Sequence, residues 1–83
     1  MPRYYIVPTN EGQELNYNEA FTGSLINAKR RALELRLGLA KLLIQGTIGV
    51  EIKFYTHQQG TGFDICKVWA WDRYNKKWYE TER

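Results

Sequence analysis

Few side chains in this 83-residue sequence have the types that do covalent or metal chemistry. His57 is the only histidine and Cys66 the only cysteine. A thiol becomes a nucleophile when a base or a positive field holds it as thiolate. Cys66 stands between Ile65 and Lys67 in a strand-like run, His57 near the end of another, and nothing in their spacing marks a pair. Asp64 and Asp72 would make an acid–base couple on paper, but Asp72 stands where a hairpin turn begins. Gly60-Thr61-Gly62 lacks the following helix whose first amides complete a phosphate cradle. His57 has no companion ligand set, so no zinc, iron or other cofactor is expected. The expectation is a chain that is not an enzyme and has no small-molecule substrate.

The types that remain are those of recognition. The chain holds three Trp, six Tyr and three Phe, and a formal net charge of +3. Large rings bury area at low entropy cost and dominate protein interfaces. Rings interleaved with lysines also stack bases and neutralise phosphates of a single strand. The charge is compatible with an anionic partner without requiring one.

These rings must be positioned by regular elements. Residues 24–45, SLINAKRRALELRLGLAKLLIQ, read as one long helix. Ser24 suits the N-cap and Gly46 the end. Leu25, Ala28, Ala32, Leu35, Leu39 and Leu42 repeat at three and four, which sets them on one side. Ile26, Leu33, Leu37, Ala40 and Ile44 form a second line, separated from the first by Lys29 and Arg36. Together with Arg30, Arg31 and Lys41, those two side chains make a secondary basic surface, tempered by Glu34. Gly38 is the weak point of the helix, at roughly 1 kcal/mol relative to Ala.

Around the helix the pattern is that of strands. Residues 3–7, RYYIV, are β-branched and aromatic, and Pro8 closes them. Residues 9–23 read as a long polar loop anchored by Tyr17 and Phe21, with Phe21 stapling the helix entry. Residues 48–57 alternate, with Ile48, Val50, Ile52 and Phe54 on one side and Lys53 and Tyr55 on the other. FDICKVWAWD follows as a strand, RYNK as a turn and KWYETE as the returning strand. The fold class expected is α+β in the order β-α-β-β-β: a single domain over residues 1–83, with one helix on one face of a mostly antiparallel four-stranded sheet.

One helix leaves the other face open. Cys66, Val68 and Ala70 are small and suit the covered side, which assigns Trp69 and Trp71 to the open side. If RYNK is the turn, Trp71 faces Trp78 and brings it to the same side. The expected binding surface is therefore Trp69, Trp71, Trp78 and Tyr55 with Lys53 and Lys67. A one-residue slip would carry all the tryptophans to the helix side instead. The leading expectation is a non-catalytic module that acts through protein–protein contact, as adaptor or inhibitor of another macromolecule, with a homodimer as one form. The alternative is a single-stranded nucleic-acid binder, although no helix-turn-helix, RNP octapeptide or GXXG clamp is present. The single cysteine excludes an internal disulfide and suits a reducing compartment. MPRYYIVP lacks a signal peptide's apolar run and LAKLLI is too short for a membrane span, so a cytoplasmic protein without membrane contact is expected.

Overall fold

The computed structural model describes residues 3–43, 47–58 and 62–81, with backbone alone at 56–58 and 62–66. The element order is β1 (Arg3–Asn10), β2 (Gln13–Glu14), β3 (Glu19–Thr22), α1 (Leu25–Leu43), β4 (Ile48–Gln58), β5 (Gly62–Asp72) and β6 (Lys77–Thr81). The fold is α+β: one helix packed on an antiparallel sheet of order β2-β1-β4-β5-β6, with β3 also pairing β1. Among the described residues six strands replace the expected four, because the 9–23 segment supplies two of them.

The sheet is built outward from β1 and β4, paired from Tyr4↔Phe54 to Asn10↔Ile48. β1 continues past Pro8 because the missing N–H falls on the edge away from β4. In an antiparallel strand the N–H and C=O of one residue point the same way. The Pro8 carbonyl accepts from the Leu15 amide at 3.0 Å, so that edge faces the β2 side. Glu11 (φ 53°) and Gly12 (φ 82°) then turn the chain in two residues, and Asn10 meets Gln13. Positive φ at both turn positions matches the twist of a tight hairpin, which glycine makes possible at Gly12. Further on, Glu19–Thr22 pair back along Arg3–Ile6. Phe21 is thus a strand residue opposite Tyr4, and it packs on the core that holds Ala28 in the first turns of the helix.

Ser24 caps the helix as expected: its Oγ accepts from the Asn27 amide at 3.2 Å. The helix runs through Gly38 without a break, while residues 44–46, including Ile44 and the expected stop at Gly46, lie outside the described residues. Ala28 and Ala32, one turn apart, are fully buried and let the helix axis sit close to the sheet. They meet Tyr4, Ile6, Val50 and Ile52, with Leu25 and Leu35 at the margin. The first apolar line is therefore the packed one at its beginning and middle. It lifts off toward the end, where Leu42 is 75% exposed. The second line is divided: Ile26 is 71% and Leu37 57% exposed, while Leu33 and Ala40 are half-buried.

An ion pair fixes the helix against β3. Arg31 Nε and Nη2 donate to Glu19 Oε2 and Oε1 at 2.7 and 2.8 Å. The hydrogen bond from Arg31 holds the Glu19 carboxyl below its ordinary 4.5. The unfolded chain then binds the proton more readily than the folded one. The pair's contribution is full above pH 4.5 and is lost as pH falls through the lower folded value. Both side chains are partly solvated, so about 0.5–1 kcal/mol is expected. Urea midpoints at pH 6 and pH 3 should separate less in Glu19→Gln than in the native chain. An equal separation would show that this pair contributes nothing to acid sensitivity.

Candidate aromatic interface

Which face carries the tryptophans follows from register. Ile52, beneath the helix, lies directly opposite Trp69. Direct cross-strand partners share a face. Trp69 and Trp71 therefore lie on the helix side, and Trp78 joins them as the partner of Trp71. This corrects the expected open-face placement. Small side chains at Val68 and Ala70 suggested the helix side, but those two residues line the opposite face and are buried there.

The helix packs mainly on β4 and β1, whereas the tryptophans stand on the next two strands of the same face. β5 and β6 continue that face outward from β4, and all three indoles are partly buried against the core. Trp69 meets the Tyr4 ring edge-on with centroids 6.0 Å apart. Trp71 and Trp78 meet at 5.5 Å and 63°. Such ring pairs add about 0.5–1.5 kcal/mol beyond burial. Asp72 braces this hairpin: its Oδ1 accepts from the Tyr74 and Asn75 amides, and its Oδ2 from Asn75 Nδ2 at 2.7 Å. Those hydrogen bonds, led by the Asn75 side chain, hold the Asp72 carboxyl below its ordinary value. Asp72 thus ends β5 and starts the turn, as its position suggested.

Lys53 and Tyr55, expected beside the indoles, are on the other face. Lys53 lies between Tyr5 and Val68 across the strands, is only 5% exposed and places Nζ 2.9 Å from Glu14 Oε1. Tyr55 packs edge-on to Tyr5 at 5.2 Å. Together with Val7, Glu14 and Asn18 these rings line a hollow of about 270 Å³, so the segment after β2 shelters this face. Lys67 does share the tryptophan face, where its Nζ lies 3.5 Å from Glu80 Oε1. The expected set is therefore split: Trp69, Trp71, Trp78 and Lys67 on one face, Lys53 and Tyr55 on the other.

The secondary basic surface is similarly divided. Arg31 is held by Glu19 and lies 3.6 Å from Glu34, and Arg36 Nε donates to the Ile48 carbonyl at 2.9 Å. Arg30 and Lys41 are exposed, and Lys29 is half-buried. An aromatic–lysine platform for single-stranded nucleic acid loses its Lys53 and Tyr55 components by this arrangement. The side chains of His57, Asp64 and Cys66, and the loop at Gly60-Thr61, lie outside the described residues. Among the described residues no group of three or more His, Cys, Asp or Glu is placed to hold a metal ion. No described helix is long and apolar enough to cross a membrane.

What residue pairing missed was the slip between Phe54 and Tyr55: Phe54 opposes Lys67 while Tyr55 opposes Ile65. One position on β4 thus spans two on β5, a β-bulge that breaks simple alternation. Searches against protein-family models, curated proteins and solved structures found no match to this chain.

Proposed function

We propose that the chain is a non-catalytic binding module that acts through protein contact, using the indole-bearing half of its sheet. The observation that supports this is the position of Trp69, Trp71 and Trp78: they continue the core face onto β5 and β6, next to the strands β4 and β1 on which the helix mainly packs, and are only partly buried there. A core face that runs beyond its covering element leaves apolar area that a partner can exclude from water. Trp is also the residue type most enriched at interface hot spots. The exposed helix line at Ile26 and Leu37 offers a second apolar surface.

Trp78→Ala tests the reading, because Trp78 lies on the terminal β5–β6 hairpin, farthest from the helix. The variant should keep the native far-ultraviolet circular dichroism and lose at least tenfold in partner affinity, about 1.4 kcal/mol. Affinity unchanged in a folded Trp78→Ala, and in Trp71→Ala beside it, would remove the sheet from the contact.

A further inference from the structure

We propose that the hollow between Tyr5, Tyr55 and Glu14 is a binding site for a small, neutral, planar heteroaromatic molecule that carries a ring N–H. It lies on the sheet face opposite the tryptophans and is separate from the surface proposed above.

The hollow exists because the outer edge of β1 changes partner. β2 pairs with it at Thr9 and Asn10 and β3 from Arg3 to Ile6, which leaves Val7 and Pro8 between them. Residues 15–18 bridge that gap. The Leu15 amide donates to the Pro8 carbonyl at 3.0 Å, and the Tyr17 amide to the Leu15 carbonyl at 2.6 Å, so the bridge is pinned at its start and bent on itself. Glu14 before it and Asn18 at its end then stand with Tyr5, Val7 and Tyr55 around about 270 Å³. An apolar cavity of about 150 Å³ takes benzene, so the space here suits two fused rings.

The walls suit a flat molecule. Tyr5 and Tyr55 have centroids 5.2 Å apart and planes at 80°. Rings at right angles let a flat ligand stack on one and meet the other edge to face. Val7 adds an aliphatic contact beside them.

The polar end fixes the ligand's hydrogen bonding and charge. Lys53, whose side chain is 7% exposed, donates to Glu14 Oε1 at 2.9 Å. A buried ammonium thus orients the carboxylate and leaves Oε2 to accept from a ligand N–H. Asn18 supplies a carboxamide that donates or accepts. Among the described residues that line the hollow Glu14 alone is charged, and Lys53 balances it. An added cation meets the Lys53 ammonium and an added anion the Glu14 carboxylate, so the ligand that fits is neutral.

Four probes with one ring system test this at pH 7: free indole, N-methylindole, cationic tryptamine and anionic indoleacetate. Followed by amide NMR of the isotope-labelled chain, free indole should shift the Tyr5, Val7, Asn18 and Tyr55 amides. The side-chain N–H signals of Trp69, Trp71 and Trp78 should stay in place. N-methylindole, which lacks the donor, should bind at least tenfold more weakly, because a hydrogen bond to a charged acceptor is lost. Both charged probes should also bind more weakly than indole. Glu14→Gln keeps an acceptor for Lys53 but turns an NH2 group toward the ligand. It should remain folded by circular dichroism, weaken indole about tenfold and leave N-methylindole unchanged. If that variant does not fold, the ratio of indole to N-methylindole affinity in the native chain decides alone. The proposal is overturned if indole at its solubility limit moves none of the four amides, or moves the tryptophan side-chain signals instead. It is equally overturned if N-methylindole binds as tightly as indole, or if either charged probe binds more tightly. None of these results bears on the tryptophan surface, which Trp78→Ala judges by partner affinity.

Discussion

Ile52→Ala is expected to lower stability by about 3–4 kcal/mol, the usual range for a fully buried aliphatic side chain truncated to alanine. Ile52 has no exposed surface and lies in the cluster of Tyr4, Ile6, Ala28, Ala32 and Val50. It is flanked across the strands by Ile6 and Trp69 and roofed by the helix. Neighbours on both strands and above it are held by backbone pairing, so the cavity cannot collapse easily. A domain of this size has roughly 4–12 kcal/mol in total. The loss should lower Tm by roughly 12–30 °C. Ile26→Ala is the control: Ile26 is 71% exposed, and a change within about 0.5 kcal/mol is expected. Urea unfolding followed by tryptophan fluorescence reads both, since Trp69 adjoins the site. A loss below about 1 kcal/mol at Ile52 would mean that the helix does not bear on the sheet there.

The elements with a strong period are legible in the sequence. The helix over Leu25–Leu43, its Ser24 cap and the alternation that sets Ile48, Val50 and Ile52 to one side all follow from local rules. So does the turn between Asp72 and Lys77, which sets Trp71 opposite Trp78. The short strands were not legible. β2 and β3 contain two and four residues, too few to show a period, and they exist because β1 offers them an edge. The two-residue turn at Glu11-Gly12 was the one local signal of the first hairpin. The tryptophan face is not legible for a related reason. Side-chain size does not fix the face; register against Ile52 does, and register is a long-range property. Buried Val68 and Ala70 pointed to a covered face, but the face enclosing them also holds buried Lys53 and Glu51. Local pattern thus located the rings and their mutual contact, and only strand pairing could assign them a side.

That second face carries the other large effect, and the effect is asymmetric. Glu14→Ala should cost about 2–3 kcal/mol, whereas Lys53→Met should change stability by less than about 1 kcal/mol. The Lys53 side chain is 7% exposed and its ammonium rests 2.9 Å from the Glu14 carboxylate, which is 48% exposed. Removing the acid strands a desolvated ammonium between Tyr5 and Val68. Removing the lysine returns a half-solvated carboxylate to water at little cost, and methionine keeps most of the buried stem. The partial exposure of Glu14 is why the figure lies below that for a wholly buried pair. In the double variant most of the Glu14→Ala loss should disappear, a non-additivity that a double-mutant cycle in urea measures directly. The reverse order, with Lys53→Met the more damaging, would assign the ammonium to Glu51, which lies two residues along the same strand face and is also buried. In that case Glu14 would be a rim residue, and β2 would be held to the sheet by its backbone alone.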